Sequence, residues 1–171
     1  MKRDVLIIIK GGGDMGSGVA ARLHRAGVRL LITELPQPLT IRRSVAFATA
    51  VYQQRVMVED ITAQRVQTDD DIYAAWENHV IPVQVDPSAH AIARWQPQAV
   101  VDAIMAKRNT GTRLTDAPVV IALGPGFVAG QDCHAVVETQ RGHYLGRVYY
   151  AGPAAPDTGV PGRVASPPPH D

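Results

Sequence analysis

Residues 5–9, 28–33, 80–85 and 118–123 are short apolar runs, and the polar-punctuated stretches between them carry helical spacing. Runs of this length bounded by turn residues read as buried strands. Alternating with helices, they predict a mostly parallel sheet covered by helices. Residues 56–58 and 61–66 are further strand-like runs around Glu59-Asp60, a hairpin signal. More helices are expected: one opening at Thr40 or Ser44 and running to Tyr52, one capped by Asp69 or Asp70 and running through Trp76, and a short one over 87–95. The stretch 99–105 is apolar but interrupted by Asp102, and 107–115 reads as a polar loop. After Gly126 the pattern changes. Strand-like residues 133–138 and 145–150 flank Arg141-Gly142-His143, which predicts a β-hairpin over 128–150. From Gly152 onward prolines dominate, so an irregular tail with disordered last residues is expected. The architecture expected is a Rossmann-like, three-layer α/β domain over 1–127, a hairpin appendage of the same unit over 128–152 and a Pro/Gly-rich tail over 153–171.

The junction after the first strand carries the strongest chemical signal. There the chain reads Lys10-Gly-Gly-Gly-Asp-Met-Gly-Ser-Gly, placing Gly11, Gly13 and Gly16 in Gly-x-Gly-x-x-Gly spacing between a strand and a helix. In a dinucleotide-binding turn the first glycine permits the tight bend. The second lets a pyrophosphate approach the backbone, and the third lets helix and strand pack closely. The helix N-terminus adds free N–H groups, so Gly12, Asp14 and Met15 belong to the same candidate cradle. Glu34 closes the second strand about 20 residues further on, where a ribose-binding carboxylate is expected, favouring an NAD-like ligand over one with a 2′-phosphate. A glycine turn that only packs sheet against helix gives the same spacing.

The formal net charge of +1 speaks against a nucleic-acid binder, which usually carries a strong basic bias, and 5% aromatic content leaves few stacking platforms. Local basic pairs, Arg42-Arg43 and Lys107-Arg108, suit a small anionic ligand better. The lone Cys133 fits a reducing compartment. The apolar run after Met1-Lys2-Arg3 is too short for a signal peptide, and no stretch reaches the roughly 20 apolar residues of a membrane span. A cytoplasmic protein without membrane or nucleic-acid partners is expected. Homo-oligomerisation stays open.

Other polar residues fall where strands should end. Asp102 sits in an apolar run and needs a partner, for which Lys107 or a ligand's metal is the candidate. Gly124 and Gly126 flank Pro125 in a turn that either offers N–H groups to a phosphate or only reverses the chain. Asp132, His134 and Glu138 alternate, which on one strand places them on one face, and His143 is a fourth candidate ligand for a divalent metal. A half-exposed strand produces the same alternation without function. These residues are expected to converge beside the Gly124 turn, facing the glycine loop.

Several segments resemble the selenium-dependent molybdenum hydroxylase accessory family. They are 10–20, 33–38, 41–47, 101–107 and 115–118, and at greatest length 123–148, Leu-Gly-Pro-Gly-Phe through Leu-Gly-Arg-Val. The likeness covers nearly the whole chain and is distantly shared with xanthine dehydrogenase accessory proteins. Members usually extend beyond the Asp157-Thr-Gly-Val-Pro-Gly motif. The resemblance implies maturation of the molybdenum cofactor of a hydroxylase client, with a molybdopterin dinucleotide, itself a pyrophosphate, as a compatible ligand. Two other classes remain. A small NAD-dependent oxidoreductase needs a proton donor, for which His134, His143 and Lys107 are loose candidates. A nucleotide-gated interaction module would use its tail to hold a partner.

Overall fold

The computed structural model describes residues 5–157. A nine-stranded, mostly parallel sheet runs through the molecule. Its central strands are β1 (Leu6–Lys10), β2 (Arg29–Glu34), β5 (Ile81–Val85), β6 (Ala99–Asp102) and β7 (Val119–Leu123). The β3 (Arg55–Val58) and β4 (Ile61–Val66) hairpin forms one edge. At the other, β9 (Ala135–Val137) lies parallel to β7 and β10 (Val148–Tyr149) antiparallel to β9. The order β10-β9-β7-β6-β1-β2-β5-β4-β3 reverses direction at β1, between β2 and β6. Ligands of open α/β sheets bind outside the carboxyl ends of strands at such a switch point. The chain forms a three-layer α/β fold.

The helices explain the layers. In α1 (Asp14–Arg25), Gly16, Ser17 and Ala20 are buried, and this small-residue stripe lets the helix lie close to β1 and β2. Gly27, at φ +78°, stops α1 just past its last turn. The opposite face is covered by α3 (Asp69–Glu77) and α4 (Ala91–Trp95). A Thr68–Asp71 capping box starts α3. The edge-to-face rings of Tyr73, Trp76 and Trp95 then pin it to α4. Alternation along the strands divides the core accordingly. Ile9, Leu30, Ile32 and Val101 pack with α1, whereas Ile8 and Leu31 pack with α3 and α4. Val100, Val120 and Val136 share that second side but pack with Phe127 and Cys133 instead.

One interrupted run becomes a strand, and three expectations are corrected. Residues 99–102 form the interior strand β6, because Asp102 finds a partner inside the protein. The expected helix over 40–52 is instead two 3-10 turns, Arg43–Val45 and Phe47–Thr49, followed by the single turn α2 (Ala50–Gln53). Ala48 N–H is drawn to the Gly12 carbonyl at 2.8 Å, a tertiary bond that replaces helical continuation. The helix over 87–95 shortens to α4, since Asp86 organises the preceding turn by accepting the Ala91 N–H at 2.8 Å. The hairpin expected over 128–150 narrows to β9 and β10. Residues Val128–Ala129 form β8, which pairs with β11 (Gly152–Pro153) in a second sheet. The first tail residues are therefore ordered, and the expectation for 158–171 lies outside the described residues.

Candidate functional site

The glycine turn uses its residues for three different purposes. Gly11 has φ +89°, and a Cβ there would stand 3.1 Å from the Ala103 carbonyl oxygen, so the bend excludes side chains. A Cβ on Gly16 would come within 2.1 Å of the Gly11 carbonyl oxygen, so this glycine sets the close approach of α1 to the turn. Gly13 caps α1 in extended conformation, and nothing lies within 4 Å of where its Cβ would be. Gly12 is tied down on both sides. Its N–H donates to Glu34 Oε1 at 2.7 Å, and its carbonyl accepts from Ala48 N–H and from Ser17 Oγ at 3.0 Å. Open backbone is thus concentrated at Gly13 and the first turn of α1.

Glu34 reaches the turn, yet both its oxygens accept backbone N–H groups, from Gly12 and from Leu35 at 2.7 Å. Burial pushes its carboxyl above the ordinary range, while these two donors pull it back. In this structure Glu34 braces the glycine turn through its backbone. Asp14 Oδ1 accepts the Met15 N–H at 3.0 Å, and its Oδ2 lies 3.5 Å from Arg42. Met15 itself is largely exposed. Arg42 therefore reaches the mouth of the glycine turn. Arg43 turns away, its guanidinium 5.5 Å from the centre of the Tyr52 ring.

Beside the turn, at the end of β6, Asp102 is fully buried. Its partner is Lys10, 3.4 Å away, with the Thr112 hydroxyl bridging the two. The Lys107 partnership expected for Asp102 does not form, because Lys107 pairs with Asp157. Strand pairing explains the exchange, since β1 and β6 are neighbours with Lys10 opposite Asp102. Lys10, Thr112 and Ser17 were not marked as site residues in the sequence. The only signal for Lys10 was a charge ending an apolar run directly before a glycine turn. The loop from Ala103 to Arg113 contains two non-glycine residues at positive φ, Met105 at 60° and Lys107 at 61°. Such conformations cost energy and persist where surroundings over-determine them.

The Gly124-Pro-Gly turn serves close packing. Gly126 has φ +99°, and a Cβ there would lie 2.5 Å from the Arg108 backbone nitrogen. Gly124 N–H donates to Val137 at 2.9 Å, joining β7 to β9.

The expected metal set does not converge. Strand β9 begins only at Ala135, so Asp132 and His134 precede it and the period-two argument does not reach them. Each group is engaged locally. Asp132 accepts the Val128 N–H at 2.8 Å, and His134 Nδ1 accepts the Val120 N–H at 2.9 Å. Glu138 is buried and accepts N–H groups from Gln140 and Ala155, both at 2.8 Å. His143 stands edge-on to Tyr144. Among the described residues no group of three His, Cys, Asp or Glu side chains is placed to hold a metal. Cys133 is buried, and that burial, followed by the Asp132 charge, raises its thiol pKa.

Two surface clefts, of about 340 and 390 Å³, lie past the ends of β4 and β5 and share Gln84 and Arg94. Neither includes the glycine turn, whose exposed backbone is a surface feature of the switch point. Among the described residues no helix is long and apolar enough to cross a membrane.

A three-layer α/β unit with a strand–glycine turn–helix junction at its switch point is what fold and site define. No family model matches the chain, and no solved structure matches it. It is 50% identical over 159 residues to a protein of Escherichia coli (strain K12) that carries the name "Uncharacterized protein YqeB". The matched stretch covers 93% of this chain and 29% of that relative, so the chain spans under a third of the relative's length.

Proposed function

We propose that this chain is the nucleotide-binding unit of a maturation factor for molybdenum-containing hydroxylases, taking a nucleotide or a molybdopterin-dinucleotide-type ligand at its glycine turn. The observation that carries the ligand class is Gly13. Its would-be Cβ meets nothing within 4 Å, whereas those of Gly11, Gly12 and Gly16 are crowded, and it stands at the N-terminus of a twelve-residue helix beside the sheet's switch point. A phosphate there would meet the N–H groups of the first helical turn and the positive end of the helix dipole. Asp14 places a negative charge at the same end, and Arg42 beside it supplies the compensating cation. The hydroxylase client rests on the sequence resemblance.

Calorimetry with NAD, ADP, CTP and a molybdopterin dinucleotide tests the reading. At least one ligand should bind, and Gly13→Asp should weaken it by tenfold or more, roughly 1.4 kcal/mol. Binding by none of the four, or binding indifferent to Gly13→Asp, would leave the turn purely structural. Hydride transfer to NAD by the purified protein would instead favour the oxidoreductase class.

A further inference from the structure

The two sides of the glycine turn are not equally open. Lys10 and Asp102 end β1 and β6, the strands at the reversal of strand order, and lie opposite one another in register. Thr112, 1% exposed, sits over both with its hydroxyl bonded to each. The Asn109 side chain fixes its backbone, accepting the Thr112 N–H and donating to the Thr112 carbonyl, each at 2.8 Å. On the same side Ala103 N–H donates to the Lys10 carbonyl at 2.8 Å, and the Ala103 carbonyl oxygen stands against Gly11. The crevice between β1 and β6 is therefore filled by the chain itself. Past β2 the sheet's carboxyl edge carries clefts instead. Register runs from Lys10 through Thr33 to Gln84, two strand spacings or roughly 10 Å. Asp86 N–H donates to the Glu34 carbonyl at 2.9 Å, joining the end of β5 to the strand end that braces the turn. Gln84 lines both clefts, of about 340 and 390 Å³, volumes within the roughly 300–1,000 Å³ of small-ligand sites. Its side-chain oxygen is buried without a hydrogen-bond partner among the described residues.

We propose that the ligand of the glycine turn is a mononucleotide lying wholly on the β2 side, its phosphates at Gly13 and its amino-bearing base in the clefts at Gln84 and Arg94. This rests on the nucleotide reading of the turn and narrows it. An acceptor taken out of water without a donor is costly, and the exocyclic amine of adenine or cytosine is the donor that Gln84 lacks. Arg94, paired with Asp69, lines both clefts and offers a planar guanidinium on which a base stacks. The other charges sort the two ends of the ligand. Asp69, Asp70 and Asp86 line the clefts, so phosphates are repelled there while ribose hydroxyls and base N–H groups find acceptors. Arg42 stands at the mouth of the turn, where the phosphates go. The second nucleoside of a dinucleotide would have to enter between β1 and β6, where Thr112 already sits.

Calorimetry with pyrophosphate, ADP, CDP and NAD tests it on the wild type, Gln84→Leu and Arg94→Ala. The tighter of ADP and CDP should bind on the order of tenfold more tightly than pyrophosphate, and NAD no more tightly than ADP. Gln84→Leu should weaken that nucleotide about fivefold and leave pyrophosphate unchanged, with its urea midpoint unchanged or raised, since it removes an unsatisfied acceptor. Arg94→Ala, a change at an exposed side chain, repeats the comparison should Gln84→Leu fail to fold. Equal affinity for nucleotide and pyrophosphate, nucleotide binding indifferent to both substitutions, or NAD binding more tightly than ADP overturns the placement and leaves the turn a phosphate site. Binding by none of the four overturns the nucleotide reading itself, and the placement with it.

Discussion

At the residue scale the glycines of α1 make opposite demands. Gly16 has no room for a methyl group, because the carbonyl of Gly11 is in the way. Gly16→Ala should lower stability by about 1–3 kcal/mol, the usual penalty for overpacking. Gly18 lies in the same helix, and nothing stands within 4 Å of its would-be Cβ. Gly18→Ala should therefore raise stability by about 0.5–1 kcal/mol through helix propensity alone. Denaturant midpoints of the two variants decide this, and equal signs would refute it. The close-packing role of Gly16 was legible in the sequence because it depends only on strand, turn and helix following one another; the open space around Gly18 was not. The role of Glu34 was not. Its carboxylate braces Gly12 through a bond between residues 22 apart, which spacing alone does not distinguish from a ribose contact. Cys133 gives a further test. Buried and with its thiol pKa raised, it should resist iodoacetamide in the native protein and label fully in denaturant. Rapid native labelling would contradict the packing described.

At the element scale, what the sequence concealed is strand adjacency. Apolar runs identified β1, β2, β5 and β7, but Asp102 made β6 look interrupted. Only with β1 and β6 side by side does Lys10 face Asp102 and make the buried charge tolerable. The same blindness misplaced the metal candidates, since alternation in sequence was read as a strand through residues that form a turn. The Lys10–Asp102 pair can be measured. Lys10→Met leaves a buried carboxylate held only by neutral donors, the Thr112 hydroxyl and the Ile104 N–H, and stability should fall by about 3–5 kcal/mol. Lys10→Met combined with Asp102→Leu should recover most of that loss, because a well-packed apolar pair often replaces a buried ion pair at little cost. A double-mutant cycle in urea checks the coupling. Additive losses would show that the two side chains act independently.

At the scale of the whole molecule, stability against pH joins the site to the fold. Glu34 and His24 titrate away from their ordinary values in opposite senses of linkage. Burial raises the Glu34 carboxyl above 4.5, so the folded state holds that proton more tightly than the unfolded chain does. This contribution is fully present below pH 4.5 and is lost as pH rises through the raised value. His24 is lowered from 6.5, by burial first and by His79 next, so its contribution is present above pH 6.5 and is lost as pH falls through the lowered value. The raw profile mixes the two, and a difference profile separates them. Relative to Glu34→Gln, the wild type should lose stability as pH climbs from 4.5 through the Glu34 value and stay level beyond it. The amide that Glu34→Gln introduces keeps one acceptor for Gly12 but presents donors towards Leu35 N–H, which shifts the whole difference without changing its slope. Urea midpoints of both proteins across pH 4–8 measure it. A flat difference would mean that Glu34 ionises in the folded state as it does in water, and the turn above it would then have to be open to solvent.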